Sequence, residues 1–352
     1  MNEMLVYGIS SLLICFTVLT FLLSRLPTDI FPEEYELKLD PFWYVTGVMF
    51  IGATIVYFLF PTLPDMIRSY SYFSIFIPFL FAVIIYGCYL LELGWITDVI
   101  TFGAALIISF TQADDFQLFP NQLTVFQDRI VVAVLLFVIS KGLNLLNGQA
   151  AIASMQFCAV MISGVVLAYF NALPQFLSVI ALVYLGSMIS FAFFSWPPEK
   201  IIMGQGSFGA LGFIMGCFML NASSEFADAP MFIAGSYLFT ELAIALYNRF
   251  ICREKTAELF MNTSYYKTSQ DGQYDLGVAR GVLKILVIDV VLSMIQIAAS
   301  ERLALPVFTV ALNMWFLSIL SGDSKPGDII SLSKFGKMAY NGLFKKKSKK
   351  KK

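Results

Sequence analysis

Eleven apolar runs of about 17 to 21 residues punctuate this chain, and that length is what a helix needs to cross the hydrocarbon core of a bilayer. They lie near 4–23, 42–60, 72–91, 95–112, 129–147, 150–170, 175–194, 206–222, 230–247, 281–299 and 304–320. The first is too long for a signal-peptide core and no basic stretch precedes it, so it reads as a span. The slightest punctuation is Leu91-Glu92-Leu93-Gly94. One long helix there would move every later loop to the other side of the membrane.

Basic residues orient the spans. With eleven spans and an outside N-terminus, 20 Lys and Arg fall on the cytoplasmic side, and Arg68, Arg129 and Arg302 fall outside. Leaving out residues 325–352, the ratio is still 10 to 3. The expected fold is therefore all-α: a polytopic integral membrane protein of about 11 transmembrane helices, N-terminus outside and C-terminus cytoplasmic. Residues 1–320 form the transmembrane domain and 321–352 a cytoplasmic tail. Charged residues are 13% of the chain, against about 25% in soluble domains, and 35 Phe suit a lipid-facing surface.

The same composition excludes several chemistries. There is no histidine, which removes the commonest general base and metal ligand. Cys15, Cys88, Cys158, Cys217 and Cys252 lie in or beside apolar runs with no CxxC pair, so neither a disulfide framework nor a zinc site is expected. No nucleic-acid partner is expected. In the tail, scattered apolar residues precede a run from Lys345 to Lys352 that is lysine except for Ser348. It reads either as an interfacial helix with a clamp on anionic lipid or as a solvated end.

Two cytoplasmic stretches carry the candidate site. Ser195-Trp196-Pro197-Pro198-Glu199-Lys200-Ile201-Ile202-Met203-Gly204-Gln205-Gly206-Ser207 ends span 7 and opens span 8 with a glycine-rich turn. Free N–H groups at a helix N-terminus can hold phosphate oxygens, and Lys200 adds a cation. Such turns also serve as plain packing devices between membrane helices. Lys141-Gly142-Leu143-Asn144-Leu145-Leu146-Asn147-Gly148-Gln149 closes span 5. Asn144 and Asn147, three apart, share a helical face that can read a polar headgroup or bond a neighbouring helix. The phosphate-binding candidates are Asn144, Asn147, Lys200, Gly204, Gln205 and Gly206.

Together these stretches resemble the polyprenyl-phosphate N-acetylhexosamine-1-phosphate transferase family, over roughly residues 85–300. The family's Pro-Ala-Lys-x-Phe-Met-Gly-Asp-x-Gly-Ser motif is matched by Pro198-Glu199-Lys200-Ile201-Ile202-Met203-Gly204, with Leu211-Gly212 following in register. Its Asn-x-x-Asp-Gly looks like Asn144-Leu145-Leu146-Asn147-Gly148, and Glu241 falls where the family has an acid in span 9. The resemblance implies a bacterial inner-membrane protein that handles polyprenyl phosphate and a UDP-sugar with Mg2+, alongside other envelope-assembly proteins.

The departures bear on that chemistry. Gln205 stands where the family has a magnesium-binding Asp, and Asn147 where it has another acid. Leu90-Leu91 occupies the place of an Asp pair, and the His cluster falls near Tyr265-Tyr266. Gly206-Ser207 is one residue short of the family's Gly-Ser register, and Asp114-Asp115 belongs to a loop on the opposite face. A neutral amide brings a hard dication no charge, so these changes read as a retired metal site. Glu92, Asp98 and Glu199 remain near that face, with Glu92 and Glu199 as candidate metal ligands. Three functions stay open: a catalytically impaired relative that keeps a lipid-phosphate groove, an active transferase with a rearranged metal site, and a transporter.

Overall fold

The computed structural model describes residues 2–26, 40–59, 72–111, 117–118, 123–146, 150–170, 173, 175–196, 201, 203–204, 206–222, 228–250, 276–298 and 304–320. Among these there are helices and no strands. The helices are α1 (Asn2–Leu23), α2 (Pro41–Leu59), α3 (Tyr72–Leu90), α4 (Trp95–Phe110), α5 (Val125–Leu145) and α6 (Ala150–Tyr169). They continue as α7 (Gln175–Ser195), α8 (Ser207–Ala222), α9 (Asp228–Ala234), α10 (Ser236–Phe250), α11 (Leu276–Ala298) and α12 (Ala304–Leu320). Four segments, Val6–Leu23, Pro41–Phe58, Ala151–Tyr169 and Phe176–Ser195, are long and apolar enough to cross a membrane, and shorter apolar helices accompany them. The chain has the build of a membrane protein.

Large apolar side chains face outward as well as inward. Phe21, Phe58 and Phe193 are exposed, as are Ile14 and Ile51. A water-soluble protein would not leave so much apolar surface uncovered. The interior is closed by α6 and α7, which pack on each other, while α1 lies along α7 and α5 along α8. Thr20 and Ser190 share a hydrogen bond of 2.9 Å between α1 and α7. On α8, a side chain at Gly212 would run into Leu143 and the backbone of Ser140, so the α5–α8 approach depends on the missing Cβ.

Several boundaries have local causes. The chain does break at 91–94. Leu93 N–H reaches the carbonyl of Cys88 at 3.2 Å, and Glu92 N–H that of Tyr89 at 3.0 Å. Glu92 has φ +52°. This is a Schellman ending for α3, with Glu92 in the left-handed position that glycine usually takes. Helix α5 starts four residues before its apolar run, because Thr124 and Gln127 form a capping box. Behind it Asp128 is buried and accepts the Leu118 N–H at 3.0 Å. Arg129, expected in outside water, is also buried.

The ninth apolar run is two helices rather than one. Gly235 separates α9 from α10, and the Ala234 carbonyl accepts Gln156 Nε2 at 3.0 Å. Leu238 N–H bonds the Gly235 carbonyl instead. A side chain inserted into the helical ladder is a sufficient cause for such a break.

Candidate functional site

Helices α2, α3, α4, α5 and α8 bring their ends together at one end of the bundle. The turn opening α8 is held from below, since Ile201 and Met203 are buried in the apolar core. Ser207 N–H closes the turn on the Gly204 carbonyl at 3.3 Å, with Gly206 at φ +82°. A positive φ at this third turn position is what favours glycine there. The Tyr89 ring lies directly over Gly206, where a Cβ would collide with it.

An acid from elsewhere in the chain fills this turn. Asp40 stands just before Pro41, at the start of α2, and its Oδ1 accepts the Phe42 N–H at 2.8 Å. Its Oδ2 accepts the Tyr86 hydroxyl at 2.5 Å and the Gly204 N–H at 3.2 Å. Phe42 lies against the Tyr86 ring with centroids 4.0 Å apart, and Trp43 meets it edge-on at 5.4 Å. Burial pushes the Asp40 carboxyl above its usual pKa, while the hydrogen bonds from Tyr86, Phe42 and Gly204 pull it back down. The turn that could hold a phosphate oxygen thus already holds a carboxylate oxygen.

A second group sits one turn along. Lys141 donates to the Tyr89 hydroxyl at 2.8 Å and is ion-paired to Asp98 at the start of α4. Its ammonium also lies 5.1 Å from the centre of the Tyr89 ring. Asn144 Nδ2 reaches the same hydroxyl at 3.4 Å, and its Oδ1 is buried with no hydrogen-bond partner. Ser140 Oγ ties α5 to α8 through the Gly209 carbonyl at 2.7 Å.

Of the residues singled out in the sequence, the structure brings Asn144 and Gly206 against Tyr89 and Gly204 against Asp40 and Tyr86. Leu90 packs partly into the core, while Leu91 and Glu92 are exposed at the turn. Asn147, Glu199, Lys200 and Gln205 lie outside the described residues. Asp40, Tyr86 and Tyr89 were missed. The available signals were weak: Asp before Pro at a helix start, which is an N-cap pattern, and two tyrosines three apart on one helical face.

The described residues that converge here do not make a magnesium site. No three acids or cysteines converge among the described residues. Asp40 is committed to Tyr86 and two backbone N–H groups, and Asp98 to Lys141. A magnesium ion between sugar diphosphate and protein calls for carboxylates free to face it. No protein-family model matches the chain, and no curated protein sequence matches it significantly.

Proposed function

We propose that this chain is a multi-pass protein of the bacterial inner membrane, with eleven spans, its N-terminus outside and its C-terminus inside. In this reading it shares the plan of the polyprenyl-phosphate phosphosugar transferases without their transfer chemistry. The cluster around Lys141 receives the phosphate of polyprenyl phosphate or another anionic lipid, and the protein acts as a partner in envelope polysaccharide assembly.

One observation carries the reading. The ends of α3, α5 and α8 converge on a lysine and an amide, while two nearby acids, Asp40 and Asp98, are bonded to protein donors and Glu92 stands exposed at the turn. Lys141 is partly accessible and Asp98 half-exposed, so their pair faces water and holds weakly. A phosphate monoester, with more charge and more acceptor oxygens than a carboxylate, can take Lys141 from Asp98. Asn144 Oδ1 is an unsatisfied buried acceptor, which a headgroup hydroxyl would reach once the side chain turns outward. Lys200 lies four residues before Gly204 in the sequence, outside the described residues.

Purified protein in nanodiscs tests this with radiolabelled polyprenyl phosphate and with a UDP-sugar plus magnesium. Saturable lipid binding that Lys141→Gln weakens, with no phosphosugar transfer, is the expected result. Transfer to the lipid would establish instead an active enzyme with a rearranged metal site. No binding by either route would remove the lipid-phosphate reading altogether. Transport has its own support in the helix break at Gly235 beside a buried acid.

A further inference from the structure

Away from the cluster just described, α6, α9, α10, α11 and α12 enclose a second polar centre. Asp289 on α11 is fully buried, and its Oδ2 accepts Ser236 Oγ at 2.8 Å and Asn313 Nδ2 at 3.1 Å. Asn313 Nδ2 also donates to Ser236 Oγ at 2.8 Å. Ser236 is the first residue of α10, immediately beyond the break at Gly235. The Tyr237 backbone N–H donates to the same carboxylate, and all three donors are neutral.

Charge balance is the difficulty. Helices α6, α9 and α12 contain no Lys or Arg. Helix α10 has only Arg249, in its last turn, and on α11 Arg280 and Lys284 are both exposed. Lys284 is five residues from Asp289, about 7.5 Å of helix rise. The titratable groups of α10 nearest in sequence to Ser236 are Tyr237 and Glu241, whose side chains bond each other at 3.0 Å, and Glu241 is a further buried acid. Asp289 thus sits inside an apolar bundle without a described cation beside it. An ionised carboxylate in that position is costly unless something positive joins it.

The oxygens say what could join it. Asp289 Oδ1 and Asn313 Oδ1 are buried and have no hydrogen-bond partner, and Asn313 itself is fully buried. Gln156 Oε1, whose amide nitrogen caps the carbonyl freed at the break, is likewise unpartnered. Acceptor oxygens left open around a negative charge call for a hard cation with several oxygen ligands. A proton would remove the charge but supplies a single donor, so it could satisfy only one of the acceptors left open. Broken membrane helices beside a buried acid are a setting in which sodium is coordinated.

We propose that Asp289 and Asn313, with the break at Gly235, form a binding site for a desolvated sodium ion. Asp289 supplies the charge, Asn313 Oδ1 a neutral ligand, and Ser236 orients the carboxylate through Oδ2. The site is independent of the Lys141 cluster, and its failure would leave the lipid-phosphate reading standing.

The test uses full-length protein in nanodiscs, with sodium chloride exchanged for choline chloride at constant ionic strength. Thermal unfolding and 22Na+ binding are both read. Saturable stabilisation by sodium is expected in the wild type and its loss in Asp289→Asn. That variant should be at least as stable as the wild type without sodium, since it removes an unbalanced buried charge. Asn313→Ala should raise the half-saturating sodium concentration roughly tenfold, the factor that about 1.4 kcal/mol produces. If Asp289→Asn does not fold, the Asn313→Ala shift and direct 22Na+ binding decide. A wild type indifferent to sodium but responsive to pH would mean a protonated carboxyl and overturn the proposal. A sodium response that survives in Asp289→Asn would do the same.

Discussion

Asp40 joins a helix start, a tyrosine and a glycine turn from three distant parts of the chain. Its raised pKa has a consequence for stability. The folded protein holds the Asp40 proton to higher pH than the unfolded chain, whose aspartate titrates near 3.9. Stability contributed by this group is therefore greatest in acid and falls as pH rises through the folded value. Asp40→Asn should flatten that fall, measured as unfolding midpoint against pH in detergent. Tyr86→Phe leaves the buried carboxylate short of a donor and should cost about 1–3 kcal/mol in the same assay. At Gly206, alanine meets both the positive φ, worth about 1–2 kcal/mol, and the Tyr89 ring. Adding Tyr89→Ala should recover part of the loss, and strict additivity of the two changes would contradict the contact. None of this was legible beforehand, because Asp40 looks like an ordinary helix cap until the distant glycine turn is folded onto it.

Local signals did better with the helices. The apolar runs located them, since burial and lipid contact both select the same residues over the same length. The four-residue turn at 91–94 was the weakest break on paper, yet two reverse hydrogen bonds and a left-handed Glu92 make it a full helix ending. Glycine at that position should stabilise. Relief of about 1–2 kcal/mol of left-handed strain outweighs about 0.5–1 kcal/mol of extra unfolded-chain entropy. A rise in unfolding midpoint for Glu92→Gly checks it, and a fall would mean the Glu92 side chain has a role of its own. The break at Gly235 was illegible for a different reason. Glycine inside an apolar run is common in membrane helices, and what opens the ladder here is Gln156, nearly eighty residues earlier on α6.

At the scale of the whole molecule, the sequence supplied a charge asymmetry and the structure supplies two ends for the bundle. Leu91 lies in the exposed turn beside the Lys141 cluster, and Phe126 is exposed at the start of α5, beside buried Asp128 and Arg129. The two positions sit at opposite ends of the α4–α5 pair, since α4 runs from the first towards the loop that precedes the second. The proposed topology puts residue 91 in the cytoplasm and residue 126 outside. Cys15, Cys88, Cys158 and Cys217 are buried, so they are poor targets for a bulky reagent. With Cys252 replaced by Ser, Leu91→Cys and Phe126→Cys can be treated with a membrane-impermeant maleimide. On intact spheroplasts Phe126→Cys should label and Leu91→Cys should not, and both should label after lysis. The reverse pattern would invert the protein and move the Lys141 cluster away from cytoplasmic nucleotide sugars. Labelling of both positions before lysis would mean that α4 does not cross the membrane, which would break the eleven-span count at its fourth member.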